Sequence, residues 1–476
     1  MLIIFLLLKI NAIVSETIKI KIKTQKFLDE KNKYLTNVFN NRINSDNDDL
    51  KDKYFYYDLI LNNIYSEILI GSPAQKVIGF YSGKTCHFSL INDKCFINGS
   101  KYNRKISHSF QNLSNFNISY NNYKNSCFAK EYFEFESYEP NKKLIFENLK
   151  FFLTNDNENN KNYCALIGLR LNYQDMFIEN PKNFIFYLMQ YYTNTTLKNK
   201  LKSFYWTIKY ENDSGYISLG DPPHIYDPKN FKNKNFFEFN IQARYSTINW
   251  AIQYKDIYIN KSNEIIHLKK YNLEGHNCIF YPELNIILSS NDYFNNIKKI
   301  FFNKYFQEGI CFIKKALIIQ INSSIIEGLN GEYTIFYCDK NKIKDINKFH
   351  DEFPSINFYH NLLNITFELK WDDLFYEENN KLFFLISNKN NEVDQWAFGK
   401  IFMNKYQFIF NSEMKTIGFY KNNEKIEKYN DIDYKNVILL IVFLILFFIL
   451  LVFIAYKCRK KYLNEKQSIA LEMKLF

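Results

Sequence analysis

Glycine and proline are scarce in this chain, at 13 and 8 of 476 residues, and alanine is thinly represented as well. No phosphate-cradling glycine loop can be found, and neither a Gly-x-Ser-x-Gly nucleophile elbow nor a His-Glu-x-x-His metal motif occurs. No Cys-x-x-Cys pair is present and the seven histidines are scattered, so a zinc site has no ligand set, and no metal or other cofactor is expected. Lysine and arginine exceed aspartate and glutamate by 61 to 50, a formal charge of +11. That excess is spread along the chain. Without a basic block alternating with aromatics, nucleic-acid binding has no footprint.

What is abundant is phenylalanine (47) and tyrosine (37), in a chain 47% hydrophobic and long enough for two domains or one large two-lobed one. Lysine, asparagine and isoleucine crowd the remaining stretches, a bias that reflects genome composition as much as function. Asn-x-Ser/Thr triplets fall at Asn98, Asn112, Asn117, Asn194, Asn212, Asn260, Asn322 and Asn364, which suits a glycoprotein, although an Asn-rich chain makes them by chance.

The two ends carry the longest apolar runs. Residues 1–15, MLIIFLLLKINAIVS, end in small residues and predict a secretory signal peptide. Residues 437–456 contain no charge and, at ~1.5 Å per residue, reach ~30 Å, the thickness of a bilayer's hydrocarbon core. Lys457, Arg459, Lys460 and Lys461 follow at once. Positive residues stay cytosolic, so a single-pass type I topology is expected. The tail 457–476 then faces the cytosol, and the larger part lies in the secretory pathway or at the cell surface. Cys458 at the membrane edge is either a plain thiol or a palmitoylation site.

Between the ends, residues 16–53 are polar and read as a leader or prosegment. From Tyr54 onward, short aromatic and β-branched runs alternate with Asn, Asp, Lys and Ser clusters, which predicts an all-β region. Short helices are expected near Asn180–Gln190 and Asn291–Phe302. Residues 421–436 form a charged stalk. Seven cysteines precede the span, enough for three disulfides and one leftover thiol in an oxidising compartment. Cys86 and Cys95 would close a short loop, Cys311 and Cys338 a longer one; Cys127 and Cys164 complete the candidates.

Several segments, in order, resemble landmarks of the pepsin family of aspartic proteases. They are Ile70–Gln75 (IGSPAQ), Ile118–Tyr120, Ala165–Leu169 (ALIGL), Ser203–Trp206 with Gly215–Gly220, and Trp250–Ile252. Further on come Phe353–Phe358 (FPSINF), Trp396–Phe402 (WAFGKIF), Ile409–Asn411 and Ile417–Phe419. Cys311 and Cys338 match the second-lobe disulfide. The resemblance covers about Phe55 to Phe419, and the C-terminal anchor is most similar to relatives of the plasmepsin V type. It implies a bilobal pepsin-like fold with a C-terminal transmembrane helix. The lobes would run over residues 54–221 and 222–420, and Tyr120 would be the flap tyrosine.

The family's chemistry needs two aspartates sharing one proton across a water. In the second frame Tyr281 takes the aspartate position, with Pro282, Glu283 and Leu284 in place of the supporting Thr/Ser, Gly and Thr/Ser. In the first frame, alignment on Gly83 puts Tyr81 at the aspartate position and Ser82 at the threonine; without a gap, Ser82 itself takes the aspartate position. Neither reading supplies a carboxylate, and a phenol with an ordinary pKa near 10 is a poor base. Glu283 is the one acid nearby. The resemblance therefore implies an inactive, membrane-anchored pepsin-family protein that binds a polypeptide or surface partner through the former cleft. An aspartic endopeptidase with unorthodox residues and a structural or adhesion glycoprotein are the alternatives.

Overall fold

A computed structural model describes residues 17–25, 55–83, 85–91, 102–114, 118–120, 123–154, 165–171, 184–195, 201, 203–211, 214–241, 249–261, 264–268, 275–318, 329, 331–389, 396–420 and 457. All of these except 364–366 and 457 fall in one compact unit. The signal peptide, the stalk, the span 437–456, Cys95 and Cys164 lie outside the described residues. Among those described, no helix is long and apolar enough to cross a membrane.

Strands dominate, as the sequence pattern predicts. The first nine are β1 (Ile18–Gln25), β2 (Asn63–Ile70), β3 (Gln75–Ser82), β4 (Phe88–Ile91), β5 (Gln111–Asn112), β6 (Ile118–Tyr120), β7 (Tyr123–Glu136), β8 (Lys143–Thr154) and β9 (Ala165–Gly168). Next come β10 (Tyr205–Tyr210), β11 (Ser214–Gly220), β12 (Phe236–Asn240), β13 (Ala251–Tyr254), β14 (Asp256–Lys261), β15 (Glu264–His267), β16 (His276–Phe280) and β17 (Ile287–Leu288). The remainder are β18 (Cys311–Ile318), β19 (Gly331–Asp339), β20 (Ser355–His360), β21 (Ile365–Leu369), β22 (Phe375–Glu378), β23 (Lys381–Phe384), β24 (Ile386–Lys389), β25 (Trp396–Phe398), β26 (Ile409–Asn411) and β27 (Thr416–Tyr420). The expected helices are present, over Phe184–Thr195 and from Asn291–Ile297 through a π turn to Asn303–Gln307.

The polar-leader reading of residues 16–53 is corrected at its start. Ile18, Ile20 and Ile22 are fully buried, and β1 is an interior strand between β11 and β2. IKIKIK is a clean period-two alternation, with the lysines on the opposite face. Lys21 and Lys23 reach Glu136 and Glu67 there.

Two sets of six strands share one topology. The first runs β2-β3-β9-β4-β8-β7 and the second β13-β16-β25-β17-β24-β19. Successive pairings are antiparallel, parallel, antiparallel, parallel, antiparallel in both. Ranked by position along the chain, both read 1-2-6-3-5-4. An additional β2–β7 ladder closes the first set into a barrel. Its interior is filled by rings, with Phe88, Phe133 and Phe151 mutually edge-on and Phe135 against Phe146. Each such buried ring contributes about 1.5–3 kcal/mol of transfer free energy.

The halves are joined where the C-terminal strands return to the first sheet. β26 pairs with β10, and β27 pairs with β12. Trp206 stacks on Phe410 at 4.4 Å, and Trp250 donates its indole N–H to the Leu169 carbonyl at 2.8 Å. Asparagine covers much of what glycine scarcity leaves undone. Among the described residues, five of the seven non-glycine positions with positive φ are Asn: 141, 148, 364, 379 and 380. Its short side chain makes that conformation cheaper than for most residues. Asn148 sits where the β7–β8 register slips.

Candidate functional site

Each repeat contributes one loop to the site. In the first, the chain leaves β3 at Ser82 and re-enters as β4 at Phe88; in the second it leaves β16 and re-enters as β17 at Ile287. β9 and β25 run between these strands; β9 ends at Gly168 and β25 is followed by Gly399, each glycine packed on the loop. A Cβ on Gly168 would lie 2.4–2.6 Å from backbone atoms of Thr85, Cys86 and His87; one on Gly399 would lie 2.3–2.8 Å from those of Leu284 and Ile286. Only glycine permits this approach.

These glycines fix the correspondence between the loops. Ser82 pairs with Gly168, and Phe80 and Tyr81 with Leu166 and Ile167. In the second repeat Ile279 and Phe280 pair with Ala397 and Phe398, so Tyr281 stands opposite Gly399. The returns agree, because Phe88 pairs with Ile167 and Ile287 with Phe398. Ser82 to Phe88 and Tyr281 to Ile287 are then the same six-residue step. The repeat thus follows the ungapped register of the first frame: the counterpart of Tyr281 is Ser82. Tyr81, placed there by alignment on Gly83, corresponds to Phe280 instead. The physical reason is that the loop glycine is not the symmetric one; the glycine wedged beneath the loop is.

Tyr81 is buried, and its hydroxyl lies 2.9 Å from Ser66 Oγ on the neighbouring β2. Ser66 in turn donates to the Lys21 carbonyl at 2.7 Å. Burial pushes the Tyr81 phenol well above its ordinary pKa, partly offset by the Ser66 bond. It is a neutral core group. Ser82 is buried, and its carbonyl accepts from Leu169 N–H. Tyr281 is half-buried; its backbone N–H donates to the Phe398 carbonyl at 2.9 Å and its ring packs on a second-repeat apolar cluster.

The two loops meet through Glu283. Its carboxylate is buried, and both oxygens lie 3.1 Å from Gly83 N–H. A Cβ on Gly83 would come within 3.1 Å of that carboxylate, so glycine is what lets it close in. Tyr210 from β10 completes the wall, with its hydroxyl 3.5 Å from the Pro282 carbonyl. Burial first, and the charge of Glu283 second, push the Tyr210 phenol far up. An acid engaged with a backbone N–H and flanked by a neutral phenol is an acceptor already in use.

Residues not anticipated from the sequence brace the second loop. Asn62, fully buried, donates its backbone N–H to the Glu283 carbonyl at 2.8 Å and its side-chain amide to the Pro282 carbonyl at 3.0 Å. Asn285 donates its side chain to the carbonyls of Asp58 and Leu61. In a chain this rich in asparagine, nothing in their spacing singles them out.

Tyr120 ends β6 and pairs with Tyr123 across a hairpin. Cys311 and Cys338, directly opposite on β18 and β19, form a disulfide. Cys127, a disulfide candidate, is instead a buried thiol, and burial raises it to about 11. Cys86 is buried in the first loop, and its expected partner Cys95 is outside the described residues. Among the described residues no group of three or more His, Cys, Asp or Glu is placed to hold a metal ion. No protein-family description and no curated protein matches this chain.

Proposed function

We propose that this is a catalytically inactive protein built on the duplicated architecture of the pepsin-like aspartic proteases, and that it binds a polypeptide instead of cleaving one. The observation that carries the reading is the pairing of Ser82 with Tyr281. A duplicated fold in which each half delivers one loop to a common site is suited to supplying one acid from each half. Here the equivalent positions hold a hydroxyl and a phenol. The acid closest by, Glu283, is one residue type from one loop and is engaged with Gly83. One carboxylate cannot be both the ionised and the protonated partner of a shared-proton pair.

Tethering is part of the same proposal: residues 437–456 span a membrane, and the strand-rich part lies on the non-cytosolic side. An epitope at Phe476 is then digested when protease is added to the cytosolic face of sealed vesicles, and its full protection would refute the topology. For the activity, purified full-length protein in detergent is incubated with a mixed peptide library from about pH 4 to 7, where a carboxylate pair could share a proton. The expected result is no hydrolysis above a heat-treated control. Cleavage sensitive to an aspartic-protease transition-state analogue would overturn the inactive reading.

A further inference from the structure

We propose that the apolar face formed by residues 281–285 with β17, β18, β19 and β23 is a receptor groove for a polypeptide segment, and that residues 55–62 occupy it as a displaceable ligand in cis. This rests on the reading of the chain as a polypeptide binder, and it names where the polypeptide goes.

Residues 55–60 form a short helix that leads, through Leu61 and Asn62, straight into β2 of the first repeat. Their side chains are spent on the second repeat. Tyr57, Ile60 and Leu61 are buried in one cluster with Leu284, Ile335 and Phe383. Phe55 lies 4.8 Å from the Phe383 ring. The backbone is pinned where the helix ends: Leu61 forms an isolated β-bridge with Leu284, Asn285 N–H donates to the Ile60 carbonyl at 2.9 Å, and Asn62 N–H donates to the Glu283 carbonyl at 2.8 Å. Apolar anchors on one helical face, with backbone hydrogen bonds fixing the register, are how a short segment is captured in a groove. The side-chain amide of Asn285 likewise reads only carbonyls, those of Asp58 and Leu61. Any segment of that shape would satisfy it.

Two features make the segment exchangeable. The halves do not depend on it, because the β10–β26 and β12–β27 ladders and the Trp206–Phe410 stack join them elsewhere. Its junction with β2 is poorly satisfied. Asn62 Oδ1 and Asn63 Nδ2 are buried, and neither finds a hydrogen-bond partner among the described residues. Buried polar atoms without partners are penalised, and unlatching returns both to water. The partner this groove fits is a polypeptide with three adjacent aromatic residues, then aliphatic residues on a helical turn, then an extended residue. The pattern is that of Phe55-Tyr56-Tyr57-Asp58-Leu59-Ile60-Leu61.

The test uses the full chain in detergent and a fluorescent nonapeptide with the sequence of residues 55–63. A groove filled in cis binds in trans with an affinity reduced by its open fraction. Ile60→Ala, which weakens only the cis ligand, should bind the peptide at least about 10-fold tighter than the parent protein. A folded Ile60→Ala protein with no gain overturns the proposal. Should that variant not fold, Leu61→Cys with Leu284→Cys decides the matter against the parent protein. Oxidation should abolish peptide binding and reduction restore it, whereas binding indifferent to the lock overturns the groove. Cleavage of the bound peptide would sink the inactive reading while leaving the groove standing, so the two failures are distinguishable.

Discussion

Gly168 and Gly399 offer the most direct test of the repeat. Neither has a positive φ, so an alanine there meets no backbone strain of its own, only lack of room. The added methyl would lie 2.4, 2.5 and 2.6 Å from backbone atoms at Gly168, and 2.3, 2.4 and 2.8 Å at Gly399. Ordinary contact begins near 3.4 Å, so the loop backbone must retreat by roughly 1 Å, at or beyond the top of the 1–3 kcal/mol typical of overpacking. About 3–4 kcal/mol is expected for each. Gly309 is the control, with φ +67 and nothing within 4 Å of the added methyl. Gly309→Ala should cost only the left-handed penalty, about 1–2 kcal/mol. In a unit this large, 1 kcal/mol moves Tm by on the order of 1–2 °C, less than the 2–4 °C of domains of 150–250 residues. Thermal melts should therefore show matched losses of about 3–8 °C for Gly168→Ala and Gly399→Ala, and about 1–4 °C for Gly309→Ala. A Gly309→Ala loss equal to either of the others, or a Gly168→Ala protein as stable as the parent, would refute the wedge that sets the loop correspondence.

Three further outcomes follow from other parts of the molecule. Ser82→Asp with Tyr281→Asp should give no peptide hydrolysis between about pH 4 and 7, because Pro282 and Leu284 lack the hydroxyls, and Glu283 replaces the glycine, that would support an acid; measurable turnover in that double variant would show the loops to be competent. Replacing both Cys311 and Cys338 by serine opens a loop of sequence separation 27, which in the chain-entropy account removes about 3.5 kcal/mol; urea titration of the variant against the parent reads this out, and an unchanged midpoint would argue against the bond. Burial lowers His360 from 6.5 to about 4. The fold therefore holds it neutral, and that contribution is complete above pH 6.5 and is lost as pH falls toward 4. Holding the imidazole neutral over that window is worth on the order of 3 kcal/mol. His360→Gln should flatten the acid limb of stability over that window, and an identical pH profile would exclude His360 as its source.

The strand content was legible because its signal is local. IYSEILI alternates, and β2 buries every second residue accordingly. IKIKIK alternates as plainly, but its lysines drew it into a polar leader, when their alternation with isoleucine is what makes β1 an interior strand. The Cys311–Cys338 bond was legible through the resemblance, which matches these two cysteines to a second-lobe disulfide. The loop correspondence was only half legible. Sequence offered two registers for the first frame, and the visible glycine, Gly83, favoured the wrong one for the repeat. The decisive glycine, Gly168, lies 86 positions beyond Ser82, and its role depends on pairing that no local pattern reports. The bracing asparagines were invisible for the opposite reason: their residue type is too common here to carry a signal.

The Gly83–Glu283 contact ties the two loops together without a facing pair of acids. Two carboxylates in contact are a liability to a fold, tolerable only because they share a proton. Ser82 and Tyr281, a hydroxyl and a phenol, bring no such repulsion to the equivalent loop positions, and Glu283 places its oxygens on the N–H of the opposite loop. Charge-assisted acceptance of a backbone N–H is among the stronger neutral-donor bonds in a protein interior. Asn62 and Asn285 extend the same closure to residues 58–62. The loops so tied are held to each other and to residues 58–62 by hydrogen bonds to backbone groups. They present a row of backbone groups and apolar side chains, and residues 55–62 pack and hydrogen-bond along it.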